Sequence, residues 1–260
     1  MDGQWLDNMN QWRWVASSRI GTSHQRLGTR KQDAFKCFLA PSLSPIVCAI
    51  VADGAGSAEF GGQGASIVCR TLSIALKAHF KTTDDLPGSD DIWAWLDDVR
   101  DCLGNAANNR AIRRQSFAST LVMLIASQDR SVVAHIGDGA VVARDNTGKW
   151  TALSWPENGE YASTTYFVTD DPVPRLRVTE IPEAYDGYAL FSDGIEDIGL
   201  DQSGLMPHQP FFNAMIRSLD QSPIIGHNQS LSSSLGAFLD SERVCARTDD
   251  DKSLILLSSL

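Results

Sequence analysis

Residues 46–56, IVCAIVADGAG, contain the pattern on which the interpretation of the chain depends. Residues 46–52 are an uninterrupted apolar run with β-branched side chains, which is typical of a buried strand. The run ends at Asp53 and Gly54, and residues 61–80 then carry apolar side chains at helical spacing. The stretch therefore predicts a strand with an acidic end, a glycine-rich loop and a helix with one apolar face.

The same arrangement recurs along the chain. Two further apolar runs end in Asp-Gly, at Asp138 and at Asp193. Two other acidic positions flank predicted strands, namely Asp33 and the triplet 249–251. Asp-Gly is also a common hairpin turn, and for Asp138, which has predicted strands on both sides, this structural interpretation stands beside a functional one.

Apolar periodicity also predicts the fold class. Strands are expected over residues 12–20, 34–40, 46–52, 119–127, 131–136, 140–144, 175–181, 188–191 and 253–257. Helices are expected over residues 61–80, 92–112, 211–219 and 230–239. Because strands and helices do not alternate regularly, the order disfavours a doubly wound parallel sheet. It favours an α+β fold with antiparallel sheets covered by helix pairs.

Composition narrows the classes of function. The 22 basic and 32 acidic residues give a net charge of −10, which disfavours binding to nucleic acid or to an anionic membrane. A hydrophobic fraction of 43% excludes general disorder, and no apolar stretch approaches the ~18 residues of a membrane span. The five cysteines form no C-x-x-C pair, so we expect reduced thiols in a cytoplasmic protein.

Aspartates at the ends of rigid strands suggest a shared metal centre. Hard divalent cations prefer oxygen ligands, and a glycine after the acid lets a backbone carbonyl approach as a further ligand. Converging carboxylates without cations would repel one another and raise each other's pKa. Two such ions ~3.5–4 Å apart can bridge a water, lower its pKa and direct it at phosphorus.

Taken in chain order, the motifs resemble the PP2C-type (PPM) metal-dependent Ser/Thr protein phosphatases, in a bacterial branch. The matching pieces are Ser23-His24, Gln32-Asp33-Ala34, residues 51–56, Ser119-Thr120-Leu121, Gly137-Asp138-Gly139, Gly159-Glu160-Tyr161, residues 191–195 and residues 250–253. The resemblance implies a four-layer αββα sandwich, in which two antiparallel sheets are flanked by helix pairs. It also implies one domain over residues 1–260, with a core of about 12–258.

The resemblance implies a reaction as well. A hydroxide bridging two Mg²⁺ or Mn²⁺ ions would hydrolyse phosphoserine and phosphothreonine in proteins, with no phospho-enzyme. By the same likeness the substrate is a phosphorylated protein opposed by a Ser/Thr kinase, and we expect a cytoplasmic monomer. The implied roles are bridging of both ions by Asp53, binding of one ion by the Gly54 carbonyl, second-ion ligation by Asp193 and Asp250, water binding by Asp33, and binding of a third, weaker ion by Asp138.

Several positions depart from the family pattern or leave alternatives open. Ala55 stands where many animal members carry a histidine thought to protonate the leaving group, so a metal-bound water would have to serve as the acid. Gln32 replaces the acid often found before Asp33. Asp249 and Asp251 flank Asp250, which is chosen because Asp-x-x-Ser then matches the family's terminal motif.

Other site residues are left as candidates. Arg26 and Arg30 are the two candidates for the phosphate-binding arginine, and each could equally be a surface charge. His24 could bind substrate, ligate a metal, donate a proton or be structural. His135, within an apolar strand, is expected to be a core residue. Residues 159–171 map near the family's variable flap and would select substrates.

Competing functions are weaker. A dinucleotide loop would need a third glycine at position 59, where Glu59 stands, and a serine hydrolase would need a G-x-S-x-G elbow that is missing. Two alternatives share the fold: a catalytically weak or silent regulatory or binding module, and a phosphatase of a small phosphorylated metabolite.

Overall fold

The computed structural model describes residues 12–157 and 165–259, and every statement about the fold refers to them. The strands are β1 Trp12–Arg19, β2 Ala34–Leu39, β3 Val47–Ala52, β4 Leu121–Ala126, β5 Ser131–Ile136, β6 Ala140–Arg144, β7 Trp150–Ser154, β8 Arg177–Ile181, β9 Gly187–Phe191, β10 Leu200–Asp201, β11 Met206–Pro207, β12 Gly226–His227 and β13 Lys252–Ser259. The α-helices are α1 Thr22–Leu27, α2 Gly61–His79, α3 Ser89–Asn108, α4 Glu196–Gly199, α5 Gln209–Asp220, α6 Gln229–Leu239 and α7 Glu242–Cys245. Short 3-10 helices cover Arg114–Phe117 and Asp193–Ile195.

The strands form two large sheets. Sheet A has the order β12-β1-β13-β9-β6-β7, and sheet B has the order β2-β3-β4-β5-β8. Neighbouring strands are antiparallel except for the two-residue β12, which pairs in parallel with β1. Strands β10 and β11 form a separate ribbon.

The two sheets stack between helices. Helices α2 and α3 cover the outer face of sheet B, and α5 and α6 cover that of sheet A. Along β3, Cys48 and Ile50 face the helices, whereas Val47 and Val51 face the other sheet. A strand buried on both faces needs no polar alternation, which explains its continuous apolar run. The predicted four-layer αββα sandwich is therefore confirmed.

The segment around Asp138 connects the two sheets. Strand β5 belongs to sheet B and β6 to sheet A, so Gly137, Asp138 and Gly139 carry the chain from one sheet to the other. The hairpin interpretation of this Asp-Gly pair is wrong, because β5 and β6 do not pair. Gly137 has φ = 105°, a conformation that side chains other than glycine rarely adopt.

Some elements differ from the sequence prediction. Strand β4 begins at Leu121 rather than at position 119, because the backbones of Ser119 and Thr120 pair with Gly54 and Asp53 instead. Helix α1 was missed because none of its six residues is buried, so it carries no apolar periodicity. Strand β7 was missed because it is short and only its end residues are buried.

Three simpler expectations can also be compared with the structure. All five cysteines are free thiols. Across the described ranges, we find no helix whose length and apolarity would allow it to cross a bilayer. His135 is completely buried, and its Nδ1 lies 2.6 Å from Ser154 Oγ and 2.8 Å from Arg177 Nη2, which agrees with a structural role.

Helix α2 offers a test of the helix-to-sheet packing. Leu72 is 0% exposed beneath the helix pair, and Ile74 on the opposite face is 63% exposed. We expect Leu72→Ala to lower the free energy of unfolding by about 2–4 kcal/mol, because it leaves a cavity in the core. The matched control Ile74→Ala should change it by less than about 0.5 kcal/mol. Chemical denaturation measures both, and equal losses would contradict the assigned helix face.

Candidate metal centre

The acidic strand ends meet at one edge of the sandwich. In sheet B, Ala34 at the start of β2 pairs with Ala52 at the end of β3, which makes Asp33 and Asp53 neighbours. In sheet A, Phe191 at the end of β9 pairs with Leu254 of β13. Because antiparallel strands alternate in direction, starts and ends of adjacent strands share an edge, and the register brings these distant acids together.

Three of the aspartates form a tight cluster. A carboxylate oxygen from each of Asp53, Asp138 and Asp193 lies within 4.8 Å of one from each of the others. These residues come from the ends of β3, β5 and β9, and so from both sheets. The cluster contains three of the five aspartates that the sequence analysis assigned to one centre, and Asp33 and Asp250 are not members of it.

The backbone of Asp53 is held from both sides. Its N–H donates to Thr120 Oγ1 at 3.0 Å, and the Thr120 N–H donates back to the Asp53 carbonyl at 2.8 Å. Gly54 bridges to Ser119, and a β-carbon on Gly54 would overlap the backbone of Gly61 at the start of α2. The glycine is required by this close approach, and the Ser119-Thr120 motif serves to position Asp53.

Asp33 connects the two sheets at this edge. Its side chain is buried, and Ser192 Oγ, at the end of β9, donates to its Oδ2 at 2.7 Å. The Ser253 N–H of β13 in turn donates to Ser192 Oγ at 3.0 Å. A carboxylate from sheet B is thus oriented by hydroxyl and amide groups of sheet A.

Burial favours the protonated form of these carboxyl groups. It raises the pKa of Asp53 well above its ordinary value, and repulsion from Asp33 and Asp193 raises it further. Burial also raises the pKa of Asp193, together with repulsion from Asp138 and Asp250. The pKa of Asp33 is raised in the same direction, again mainly by burial.

The donor set fits divalent cations. Asp33, Asp138 and Asp193 each have an Oδ1 atom that is buried and has no hydrogen-bond partner in the described parts of the chain. Unsatisfied buried carboxylate oxygens are costly unless something positive binds them. Cations with oxygen preference would satisfy these atoms and remove the mutual repulsion.

The surroundings of Asp138 include two residues that the sequence analysis missed. Thr165 Oγ1 donates to Asp138 Oδ2, which partly offsets the burial that raises the pKa of Asp138. Burial raises the pKa of Glu196 to about 7, and repulsion from Asp138 adds to the shift. Glu196 is three residues after Asp193, a helical spacing that could have signalled it. Thr165 lies in a loop without periodicity and gave no such signal.

The three consecutive acids 249–251 have distinct environments. Asp251 is buried, and its two oxygens accept from the N–H groups of Gly21, Gln32 and Asp33, so backbone amides occupy it. Asp249 is exposed and forms an ion pair with Arg26 at 2.7 Å. Asp250 is half-exposed and close enough to Asp193 to raise the pKa of that carboxyl.

His24 belongs to a second cluster beside the first. One potential ligand atom from each of His24, Asp250 and Asp251 lies within 4.8 Å of the others. His24 Nε2 is 3.8 Å from Asp250 Oδ1, and its Nδ1 is 2.7 Å from Thr29 Oγ1. Asp250 therefore belongs to this second group rather than to the tight cluster of Asp53, Asp138 and Asp193.

The two candidate phosphate-binding arginines differ in their contacts. Arg26 is tied to Asp249, whereas Arg30 is exposed and has no hydrogen-bond or ion-pair partner within residues 12–157 and 165–259. A cavity of about 480 Å³ extends from Asp193 and Asp250 to Arg247, a cation that the sequence analysis did not single out. The motif at residues 159–161 and the first part of the expected flap, residues 159–164, lie outside the described residues.

Comparison with known proteins gives a consistent set of matches. A family model described as Protein phosphatase 2C matches residues 20–240. The chain is 34% identical over 250 residues to Serine/threonine-protein phosphatase 3 of Escherichia coli (strain K12), covering 94% of this chain and 97% of that protein.

Solved structures share the fold at low identity. The serine/threonine phosphatase Stp1 from Staphylococcus aureus matches with a TM-score of 0.64 at 17% identity, covering 99% of each chain. The catalytic domain of the serine threonine protein phosphatase PstP, solved in complex with two manganese ions, matches with a TM-score of 0.63 at 16% identity, covering 96% of this chain and 99% of that one.

The environments of Asp250 and Asp251 predict that the same substitution affects a different property at each position. Asp251→Asn replaces an acceptor oxygen by an NH₂ group that faces backbone N–H donors, so the melting temperature of the metal-free protein should fall. Asp250→Asn should leave that melting temperature nearly unchanged and weaken Mn²⁺ binding. Thermal melts and calorimetric titration separate the two, and weaker Mn²⁺ binding in a normally stable Asp251→Asn protein would reverse the assignment.

Repulsion between the buried carboxylates predicts that neutralising one of them stabilises the metal-free protein. In EDTA, Asp53→Asn should melt at a higher temperature than the wild type, because it removes a charge that is buried beside Asp33 and Asp193. Lowering the pH from neutral should likewise stabilise the metal-free wild type, since the folded state keeps protons at raised pKa values that the unfolded state has lost. Both gains should vanish in saturating Mn²⁺, and a lower melting temperature for Asp53→Asn in EDTA would refute the argument.

Proposed function

The chain belongs to the protein phosphatase 2C family, and from this premise we propose that the aspartates at the shared sheet edge form its catalytic centre. It is a metal-dependent protein-serine/threonine phosphatase, which hydrolyses phosphoserine and phosphothreonine in proteins. The observation that carries the site assignment is the convergence of Asp53, Asp138 and Asp193, together with the buried, unpartnered oxygens of Asp33, Asp138 and Asp193.

Each acid has a proposed role in holding the ions. Asp53 would be a ligand of two Mg²⁺ or Mn²⁺ ions, and the Gly54 carbonyl would be a further ligand of one of them. Asp193 and Asp250 would hold the second ion, and Asp138 would help to hold a third, weaker one. The mutual repulsion of these carboxyl groups and their rigid attachment to strand ends support the assignment.

The protein's own groups prepare the site for hydrolysis. When bound, the cations supply Lewis acidity that activates water and offsets charge developing on the phosphoryl oxygens. Asp33 Oδ2 is held by Ser192, which leaves Oδ1 as a fixed acceptor for a proton of water in the site. Asp33 thereby orients the water, and Asp53 defines where the ions stand.

Two arginine side chains of the segment that follows β1 are candidates for recognising the phosphate. Arg30 is exposed and unpartnered in the described regions, so it can reach a phosphate without breaking an existing ion pair. Arg26 would have to leave Asp249, although an exposed pair of this kind contributes at most about 1 kcal/mol. We therefore place Arg30 first and Arg26 second as phosphate-binding groups, with His24 as a third candidate.

The leaving group has no nearby histidine at position 55. Ala55 packs with Ala58, Ala118 and the partly buried Phe167, and it offers no proton. We infer that water supplies the proton to the departing serine or threonine oxygen. This assignment follows from the side chain that this chain carries and needs no additional residue.

The biological setting is also a proposal. A phosphoprotein phosphatase needs a kinase that forms its substrate, so a Ser/Thr kinase is the expected opposing partner. Five free cysteines support a cytoplasmic location. Coverage of both sheets by helices supports a single domain that acts as a monomer.

Metal dependence provides the direct test of the centre. On a phosphothreonine peptide, we expect turnover in Mn²⁺ and none after treatment with EDTA. Asp53→Ala and Asp193→Ala should each lower kcat/KM by at least ~10²-fold, since loss of a ligand costs no less than loss of a group that supports one. Asp186→Ala, at an Asp-Gly pair outside the cluster, is the matched control and should retain activity.

Three outcomes would contradict parts of the proposal. Absence of turnover on any phosphopeptide in Mn²⁺ would favour the catalytically silent module. Turnover confined to small phosphate monoesters would favour a metabolite phosphatase. Wild-type rates for Asp53→Ala, with melting curves showing a folded protein, would remove Asp53 from the centre.

A further inference from the structure

His24 lies beside a proposed metal ligand without being part of the expected ligand set. It is carried by α1, the short helix between β1 and β2. Its side chain is only 15% exposed, and its Nε2 faces Asp250 Oδ1 at 3.8 Å. Two donor atoms at this separation can contact the same cation, since a metal–ligand distance of about 2.0–2.2 Å spans the gap from each side.

The helix that carries His24 is fastened to the loop that carries Asp250. The Ser23 N–H and Oγ both donate to the Asp249 carbonyl, at 2.9 and 2.7 Å. The Gly21 N–H donates to Asp251 Oδ1 at 2.7 Å. These bonds hold the imidazole and the Asp250 carboxylate in one rigid unit, which is what a metal site requires of its ligands.

Thr29 lies against the ring nitrogen of His24 that points away from Asp250. Thr29 Oγ1 is 2.7 Å from His24 Nδ1 and 3.4 Å from the His24 carbonyl oxygen, so the hydroxyl can accept from Nδ1–H while it donates to the carbonyl. The Nδ1–H tautomer has its lone pair on Nε2, the nitrogen that faces Asp250. Metal-ligating histidines usually donate their second ring N–H to an oxygen in this way.

We propose that His24 Nε2 is a ligand of the ion held by Asp250, which gives this centre one imidazole donor among its oxygen donors. Asp251, the third member of the cluster, is not a ligand, because backbone amides occupy both of its oxygens. The proposal rests on the proposed function, since it assumes that Asp250 holds a cation.

An imidazole donor has a consequence for the choice of metal. Mg²⁺ binds carboxylate, carbonyl and water oxygens, and imidazole suits transition metals better. The His24 centre should therefore favour Mn²⁺ over Mg²⁺ beyond what an all-oxygen site would do. Removal of the imidazole should abolish most of that preference and leave the Mg²⁺ affinity nearly unchanged.

Pulsed electron paramagnetic resonance on the Mn²⁺-loaded full chain tests the bond itself. We expect modulation from a directly coordinated ¹⁴N nucleus in the wild type, and its loss in His24→Gln. The matched control His79→Gln alters a histidine at the end of α2 and should keep the signal. Calorimetry should show Mn²⁺ affinity at this site falling ~10–100-fold in His24→Gln. Thr29→Val, which removes the Nδ1 partner, should weaken Mn²⁺ binding to a smaller extent.

The outcomes separate this inference from the proposed function. If the wild type hydrolyses phosphopeptides in Mn²⁺ but shows no coordinated ¹⁴N, the function stands and the ligand role is overturned. A rise in substrate KM in His24→Gln with unchanged Mn²⁺ affinity would also overturn it, in favour of phosphate binding by His24. If the wild type neither binds Mn²⁺ nor turns over phosphopeptides, the proposed function itself fails.

Discussion

The burial of several carboxylates at one edge, where two β-sheets meet, is the constraint on which the site depends. Asp53, Asp138 and Asp193 lie within a few ångströms of one another, and burial together with repulsion from nearby carboxylates raises the pKa of each. Without a counter-charge, such a cluster destabilises the folded chain. The sandwich supplies the stability needed to hold it, and bound cations convert the repulsion into metal affinity.

Much of the surrounding structure serves to hold these acids in place. Thr120 fixes the backbone of Asp53, Ser192 orients Asp33 across the two sheets, and Asp251 joins two backbone segments through three amides. None of these groups needs to contact substrate. They give the centre rigidity, because backbone hydrogen bonds and short side chains leave little rotamer freedom.

Elements of the fold could be predicted from the sequence where burial leaves an apolar repeat, and not where it leaves none. Helix α2 and strand β3 were recognisable, because a buried face imposes a repeat on the sequence. Helix α1 buries no residue and left no repeat, so the element that carries His24 was invisible. The role of Asp138 was ambiguous, because an Asp-Gly pair between two strands looks the same whether the strands pair or belong to different sheets.

The sequence by itself determined which residue types stand at the strand ends, and with them the family, the fold class and the candidate acids. Those features are local, since each apolar run and its terminal Asp-Gly can be recognised without knowledge of its neighbours. Only the tertiary structure decided which acids meet, that amides occupy Asp251 while Asp250 remains available, and that a nitrogen of His24 lies beside Asp250. These relations depend on distances between residues that are far apart along the chain, and strand register together with sheet stacking sets those distances.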